Sequence, residues 1–417
     1  MRVGAQLSTL PDKHIRRWIL SVGVTGNQLQ LRGVNRMAVV RRLCLKPGMS
    51  RSDLSAALGL TRSTVTILVR ELLTDGWLME REVVSTGDRG RRPTPLFIDP
   101  HRLLLLGVEV GVGVVRVVAT SLDGEVMARR AFGFDPSRSP KDCVDALSRA
   151  LLAVCQQLVA PKRQTIGIGV GLPGGVDEAR GFLHFAPNVG WRDVPFRALL
   201  AKKLSATPLA GVPLFVQNEA DAAAVGEIEF NPSQAASPLL YLSINQGLGA
   251  GMIVRDRQLT GSRGFAGEVG HIVLQIDGPL CSCGRRGCAE ALICARAMSG
   301  AADAVNEAGG HLGLLLQNLA AAYDPGCIVL GGELVALGDP FLEPALRTLQ
   351  AYAAAAKLCA PVVRLSRFGA DAVAVGAAAL ARYRLTRLQA AGASAAAAGI
   401  RPAHVPLHHF QRLAPLP

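Results

Sequence analysis

Gly267-Glu268-Val269-Gly270-His271 is followed by Cys281-Ser282-Cys283 and then by Cys288-Ala289-Glu290. Between His271 and Cys288 the chain holds one imidazole and three thiols within 18 residues, the donor set of a tetrahedral Cys₃His zinc site. Four protein ligands leave no open position for a reactive water, so such a metal is structural. Its role would be to hold Glu268, His271 and Glu290 in one rigid cluster. The Gly284-Arg285-Arg286-Gly287 insert suits a tight turn around an ion. A disulfide is the weaker reading. The first residues, MRVGAQLSTLPDKHIRRW, lack the apolar core and cleavage site of a secretory leader, and a cytoplasmic protein is expected. The other cysteines, Cys44, Cys143, Cys155, Cys294, Cys327 and Cys359, lie in apolar contexts and read as core.

At 417 residues the chain should hold two or three domains. The hydrophobic content of 49% and mean hydropathy of +0.28 raise the question of a membrane span. The most apolar run, Leu103 to Thr120, is interrupted by Glu109 and Arg116 and is rich in valine and glycine, so it reads as paired buried strands and no membrane partner is expected. The charge is uneven. Residues 1–100 carry 16 Lys/Arg against 8 Asp/Glu, whereas the remaining 317 carry 29 against 24. The basic excess at the front points to a polyanion there.

That first quarter has a pattern to match. From Asn35 apolar residues recur at helical spacing until Pro47-Gly48. Ser50 caps a short helix from Ser52 to Leu58, Gly59-Leu60 turns the chain, and Thr61 or Ser63 caps a second helix to about Thr74. A hairpin follows, with strands from Trp77 and from Thr94 to Ile98. This is a winged helix-turn-helix over residues 31–99, preceded by an extension at 1–30. The candidate double-stranded DNA contacts are Arg51, Thr61, Arg62, Ser63, Thr64 and Thr66 around the second helix, and Arg89, Arg91 and Arg92 at the wing tip.

After Asp99-Pro100, glycine-rich strands alternate with alanine-rich helices. Two similar hairpin-plus-helix halves over residues 100–384 predict a duplicated two-lobe α/β fold with a cleft. Residues 385–417, rich in alanine and proline, are expected to form a disordered tail, with His404, His408 and His409 solvated.

The segments Leu172-Pro173-Gly174-Gly175-Val176-Asp177, Ala186-Pro187-Asn188-Val189-Gly190-Trp191, Gly267 to His271, and the three cysteines ending in Glu290 resemble the ROK family of repressors, open-reading-frame proteins and sugar kinases. The resemblance runs from about Asn27 to Arg382, and a winged helix in front is found in the family's repressors. It implies an actin/hexokinase-like (ribonuclease H-like) effector domain that binds sugar and oligomerises. It also implies sugar contacts by Asn218, Glu219, Glu268, His271 and Glu290, with Asn188 beside them, and a structural zinc on His271, Cys281, Cys283 and Cys288. Carboxylates paired with amide and imidazole groups match hydroxyls that both donate and accept.

The chain departs from the family's kinases at two points. Their phosphate-holding Asp-x-Gly-Gly-Thr turn aligns with Glu109-Val110-Gly111-Val112-Gly113, which adds bulk and lacks the hydroxyl. Their Asn-Asp pair, which supplies the base, is Asn218-Glu219 here, similar to xylose-repressor-type members. Gly331-Gly332 and Phe368-Gly369 to Gly376 keep the look of the ATP lobe. The expected function is a sugar-responsive transcriptional regulator, a non-enzyme that acts as a homodimer or dimer of dimers on a pseudo-palindromic operator. The alternatives are an ATP-dependent sugar kinase that retains a DNA-binding domain, and a regulator controlled by a docking protein.

Overall fold

Helix α1 (Asn27–Leu45) starts ahead of Asn35 and so crosses the expected boundary at residue 30. Its N-terminal half is held from outside: Arg36 bonds Asp75 at 2.6 Å, and Arg32 pairs with Glu71. Those partners lie 39 residues away, beyond the reach of local periodicity. The computed structural model describes residues 27–81, 94–135, 137–158, 163–232, 236–262, 264–295, 297–298 and 303–387.

Helix α2 (Arg51–Leu58) opens with a capping box, in which Ser50 and Asp53 exchange side-chain and backbone bonds, and it ends at left-handed Gly59. Thr61, rather than Ser63, caps α3 (Arg62–Thr74) by accepting from the Thr64 N–H. Val65, Leu68, Val69 and Leu72 form its buried face. Strands β1 (Leu78–Glu80) and β2 (Leu96–Ile98) pair antiparallel with Leu78 opposite Ile98, completing the winged helix-turn-helix.

The rest is two lobes of one topology. Lobe one has β3 (Leu103–Val110), β4 (Val114–Ser121), β5 (Val126–Gly133), helix α4 (Pro140–Gln157), β6 (Gln164–Leu172) and β10 (Leu214–Asn218), in sheet order β10-β6-β3-β4-β5. Between β6 and β10 lie a small three-stranded sheet, β7 (Gly175–Asp177), β8 (Phe182–Ala186) and β9 (Trp191–Val194), and helix α5 (Phe196–Leu204). Lobe two repeats the pattern with β11 (Leu239–Ile244), β12 (Leu248–Val254), β13 (Arg257–Gln258), β14 (Cys327–Gly331) and β15 (Val362–Leu365), ordered β13-β12-β11-β14-β15. Its helices are α7 (Ala289–Ile293), α8 (Ala304–Tyr323) and α9 (Asp339–Ala355). The run Leu103–Val110 is buried throughout because β3 sits mid-sheet with both faces covered. Leu103 to Thr120 is the expected strand pair, the β3–β4 hairpin.

Two helices cross between the lobes. α6 (Glu219–Glu229) leaves lobe one's strand β10 and packs on β11 and β12, whereas α10 (Ala372–Thr386) follows β15 and packs back on β3 and β6. They cross at Gly226 and Gly376, where a Cβ on Gly376 would run into the Ala222 carbonyl. The alanine-rich composition of both follows from that close approach. Cys359, read from sequence as core, is exposed between α9 and edge strand β15, where no further described element covers it. No described helix is long and apolar enough to cross a membrane.

The winged helix is not a free module. Met37, Val40 and Leu43 of α1 share one apolar cluster with Leu122, Phe230 and Leu380 of the lobes. Arg41 of α1 pairs with Asp256 in the β12–β13 turn.

Candidate functional site

The cleft is assembled from the ends of strands and helices and the turns between them. The end of β3 brings Glu109 and the turn after it Val112, β10 hands over to α6 at Asn218 and Glu219, and the β11–β12 turn supplies Gln246 and Gly247. Asn188 comes from the turn after β8, and Glu268, His271 and Glu290 come from the segment between β13 and α7 and from α7 itself. Together they enclose about 950 Å³, part of it open to solvent. All six expected sugar contacts therefore meet in one space.

Local packing positions these groups. Gly267 has φ +95°, and a side chain there or at Gly270 would collide with the β12 carbonyls of Ala250 and Leu248. The Glu-x-Gly-His segment can press on β12 only with those glycines, and it then turns Glu268 and His271 to the cleft. Asn218 caps α6: its Oδ1 accepts from the Ala220 N–H at 2.8 Å and the Asp221 N–H at 3.3 Å, and its Nδ2 donates to Gly174 O at 2.9 Å. An amide has two N–H donors, so one remains for a ligand. Glu290, 9% exposed, accepts from the Leu248 N–H at 3.2 Å and the Ser282 hydroxyl at 2.7 Å.

The carboxylates shift one another. Burial, reinforced by Glu109, Glu268 and Glu290, pushes Glu219 up to about 8. That shift favours the protonated form at neutral pH, in which the carboxyl can donate a hydrogen bond. Burial also raises Glu109 to about 7, against the opposing pull of Arg116, and raises Glu268. Glu219 ordinarily titrates near 4.5, so its contribution to stability is full below that pH and is lost as the pH rises through about 8. Buried Asp221, also raised to about 8, acts in the same sense. The melting temperature is expected to fall as the pH rises from about 5 to about 8, and less steeply in Glu219→Gln. Equal slopes in melting curves across that range would remove Glu219 as a source of the pH dependence.

The thiol cluster fits a metal. The His271, Cys281, Cys283 and Cys288 donor atoms all lie within 4.8 Å of one another. Cys283 and Cys288 sulfurs are 3.8 Å apart, and Cys281 Sγ is 3.7 Å from His271 Nδ1. A tetrahedron with zinc–sulfur bonds of about 2.3 Å sets its sulfurs about 3.8 Å apart. The Arg285 Nε–H donates to Cys283 Sγ at 3.3 Å, which suits a thiolate. His271 aims Nδ1 at the cluster and Nε2 at Glu268, 3.8 Å away, so one imidazole can reach both a metal held there and the cleft.

Where the kinase phosphate turn would lie, Val112 packs on the core of lobe one. Beside it Arg116 bridges the lobes: it donates to Glu109 at 3.1 Å and to Glu333 at 2.8 Å. Sequence reading missed this clasp, because Arg116 and Glu333 are 217 residues apart and no local pattern announces them.

On α3, Thr61, Arg62, Ser63 and Thr66 are exposed and Thr64 half-buried. The Thr61 and Thr64 hydroxyls bond each other at 2.8 Å within the cap, and Arg51 is held by Glu80 at 2.8 Å. Ile67 and Arg70, missed in the sequence, extend the exposed face. Helical spacing from Arg62 through Thr66 would have found Arg70. Arg89, Arg91 and Arg92 lie outside the described residues, as do His14 to Leu20 and residues 388–417.

Two actin-like lobes around a carboxylate-lined cleft, joined to a winged helix-turn-helix, define a class of sugar-kinase-like folds with a winged helix-turn-helix in front. The ROK family profile matches residues 105–302 and 295–384. The chain belongs to the ROK family. It is 28% identical over 364 residues to the xylose repressor of Caldicellulosiruptor bescii, covering 76% of this chain and 88% of that protein. A ROK family transcriptional regulator, a homologue of the E. coli MLC protein, superposes with TM-score 0.69 at 23% identity over 85% of this chain and 97% of its own. The glucokinase of Streptomyces griseus, solved with glucose and AMPPNP, superposes with TM-score 0.59 at 25% identity over 67% of this chain and 99% of its own.

Proposed function

We propose that this chain is a sugar-responsive, DNA-binding transcriptional regulator, a repressor of carbohydrate genes, with a structural zinc. The sugar sits among Asn188, Asn218, Glu219, Glu268, His271 and Glu290. The observation that carries the reading is the course of α6. Its first residue, Glu219, lines the cleft, and its last, Glu229, binds Arg382 at 2.8 Å and Arg387 at 2.6 Å. Arg387 also bonds Asp256 at 2.6 Å, and Asp256 pairs with Arg41 of the DNA-binding domain. A ligand that favours one lobe arrangement shifts α6, and with it the seat of α1. Through Arg32 and Arg36, α1 holds the recognition helix α3. Named repressor relatives favour this reading. Two-fold pairing of the chain on a pseudo-palindrome follows from half-site geometry.

The kinase reading is supported by the glucokinase relatives. Val112 and Gly113 in the phosphate turn, and a Glu219 shifted toward its protonated form, oppose it. Glucose phosphorylation from ATP at ordinary kinase turnover would reverse the conclusion.

The test is paired. Thermal shift against pentoses, hexoses, N-acetylated hexosamines and their phosphates should yield a stabilising sugar, and that sugar should alter operator affinity. Arg62→Ala is expected to weaken operator binding about uniformly across sequences and to lower the salt slope by about 1. Fluorescence anisotropy at several salt concentrations reads both, and an unchanged slope would move the DNA surface elsewhere.

A further inference from the structure

A second cavity opens behind the cleft. It encloses about 1060 Å³, also partly open to solvent, and reaches from the cysteine loop to helix α8. Asn188, Gln246, Ser282 and Glu290 line both spaces, whereas Glu109 and Glu219 line only the first. Asn188, Gln246, Ser282 and Glu290 therefore form the boundary between the two spaces. Gly247 marks the neck, since a Cβ there would stand 2.8 Å from Asn188 Nδ2 and 3.2 Å from Glu290 Oε2.

The far wall carries polar groups that the first site does not use. Glu307 and His311 stand one turn apart on α8 and both face the cavity. His311 Nδ1 is buried with no hydrogen-bond partner among the described residues. Burial without a partner costs free energy unless a ligand or water restores the bond. Apolar surface from Leu280, Ala291 and Leu292 lines the same space. A sugar ring needs both kinds of surface, a flat carbon face and a rim of hydroxyls.

We infer that the effector is a disaccharide, one ring in the interlobe cleft and the second in this cavity, with the glycosidic link crossing the boundary marked by Asn188 and Glu290. This rests on the sugar-binding reading of the cleft and narrows it. Glu290 then binds a hydroxyl next to the link, and His311 and Glu307 bind the second ring.

The test uses the full chain and calorimetric titration with xylose, glucose, xylobiose, cellobiose and maltose. The expected result is that one disaccharide binds at least about tenfold more tightly than its own monosaccharide. Ala291→Trp, which fills the second cavity, and His311→Ala should each bring that disaccharide down to the affinity of the monosaccharide and leave the monosaccharide unchanged. Equal affinities for mono- and disaccharide in the unaltered protein overturn the second subsite and leave the cleft reading standing. A disaccharide advantage that survives in both variants overturns the second subsite as well. If none of the five sugars binds, this inference falls, and the cleft reading falls with it only if the wider thermal-shift panel also yields no stabilising sugar.

Discussion

Cys283→Ser is expected to lose the metal and to lower the melting temperature by on the order of 10 °C, the effect of more than about 4 kcal/mol on a domain of this size. The size follows from what the cluster holds. Structural zinc contributes folding free energy directly, because no preformed site exists in the unfolded chain. Cys281 and Cys288 are nearly or fully buried, and the loop from His271 to Glu290 that carries them is tied by short backbone bridges, Val273 to Cys288 and Leu280 to Arg286. With the fourth ligand gone, this loop has little apolar surface of its own to hold it: Ile276 is 86% exposed and Leu280 60%. Sugar binding should fall in parallel, since His271 and Glu290 are anchored at either end of the loop. Metal content by mass spectrometry and calorimetric melting give the answer. Full zinc occupancy with an unchanged melting temperature would sink the assignment.

The second large effect is expected at Glu229. This carboxylate and Arg382 are both nearly buried, and Arg382 also donates to Leu122 O at 2.7 Å and to Glu229 O. Glu229→Gln leaves two guanidinium groups facing a neutral amide. Breaking a buried pair on one side costs about 3–5 kcal/mol. Glu227→Gln is the matched control. Glu227 lies on the same helix, fully buried, but binds Arg364 at 2.8 Å and Ser366 at 2.7 Å, toward β15 and away from α1. Both variants should melt earlier and still bind sugar. Only Glu229→Gln should lose the response of operator affinity to sugar. If both lose it, or both keep it, α6 does not carry the signal through this cluster.

Much of the site is legible in the sequence, because its determinants are local. Glu268, His271, the three cysteines and Glu290 lie within 23 residues, and their spacing carries the chemistry. The helix-turn-helix is legible for a similar reason: caps at Ser50 and Thr61, a glycine turn and apolar spacing are all short-range. The strand pair at Leu103 to Thr120 announces itself through its valine-rich apolar run, interrupted only by Glu109 and Arg116, most of which the fold buries.

The start of α1 is not legible, since the ion pairs that hold Arg32 and Arg36 come from α3 and the residue that ends it. Nor is the Glu109–Arg116–Glu333 clasp, which exists only once the lobes face each other. The exposure of Cys359 depends on which strand becomes the sheet edge. The sequence by itself determined the family, the two kinds of fold and the cluster of donor atoms that could hold a metal, because spacing along a chain is sufficient to bring neighbours together. Only the tertiary structure decided the burial that raises Glu219, the second cavity behind Glu290 and the route of α6 to the winged helix-turn-helix. Burial and long-range charge arise from segments that meet only when the whole chain has folded.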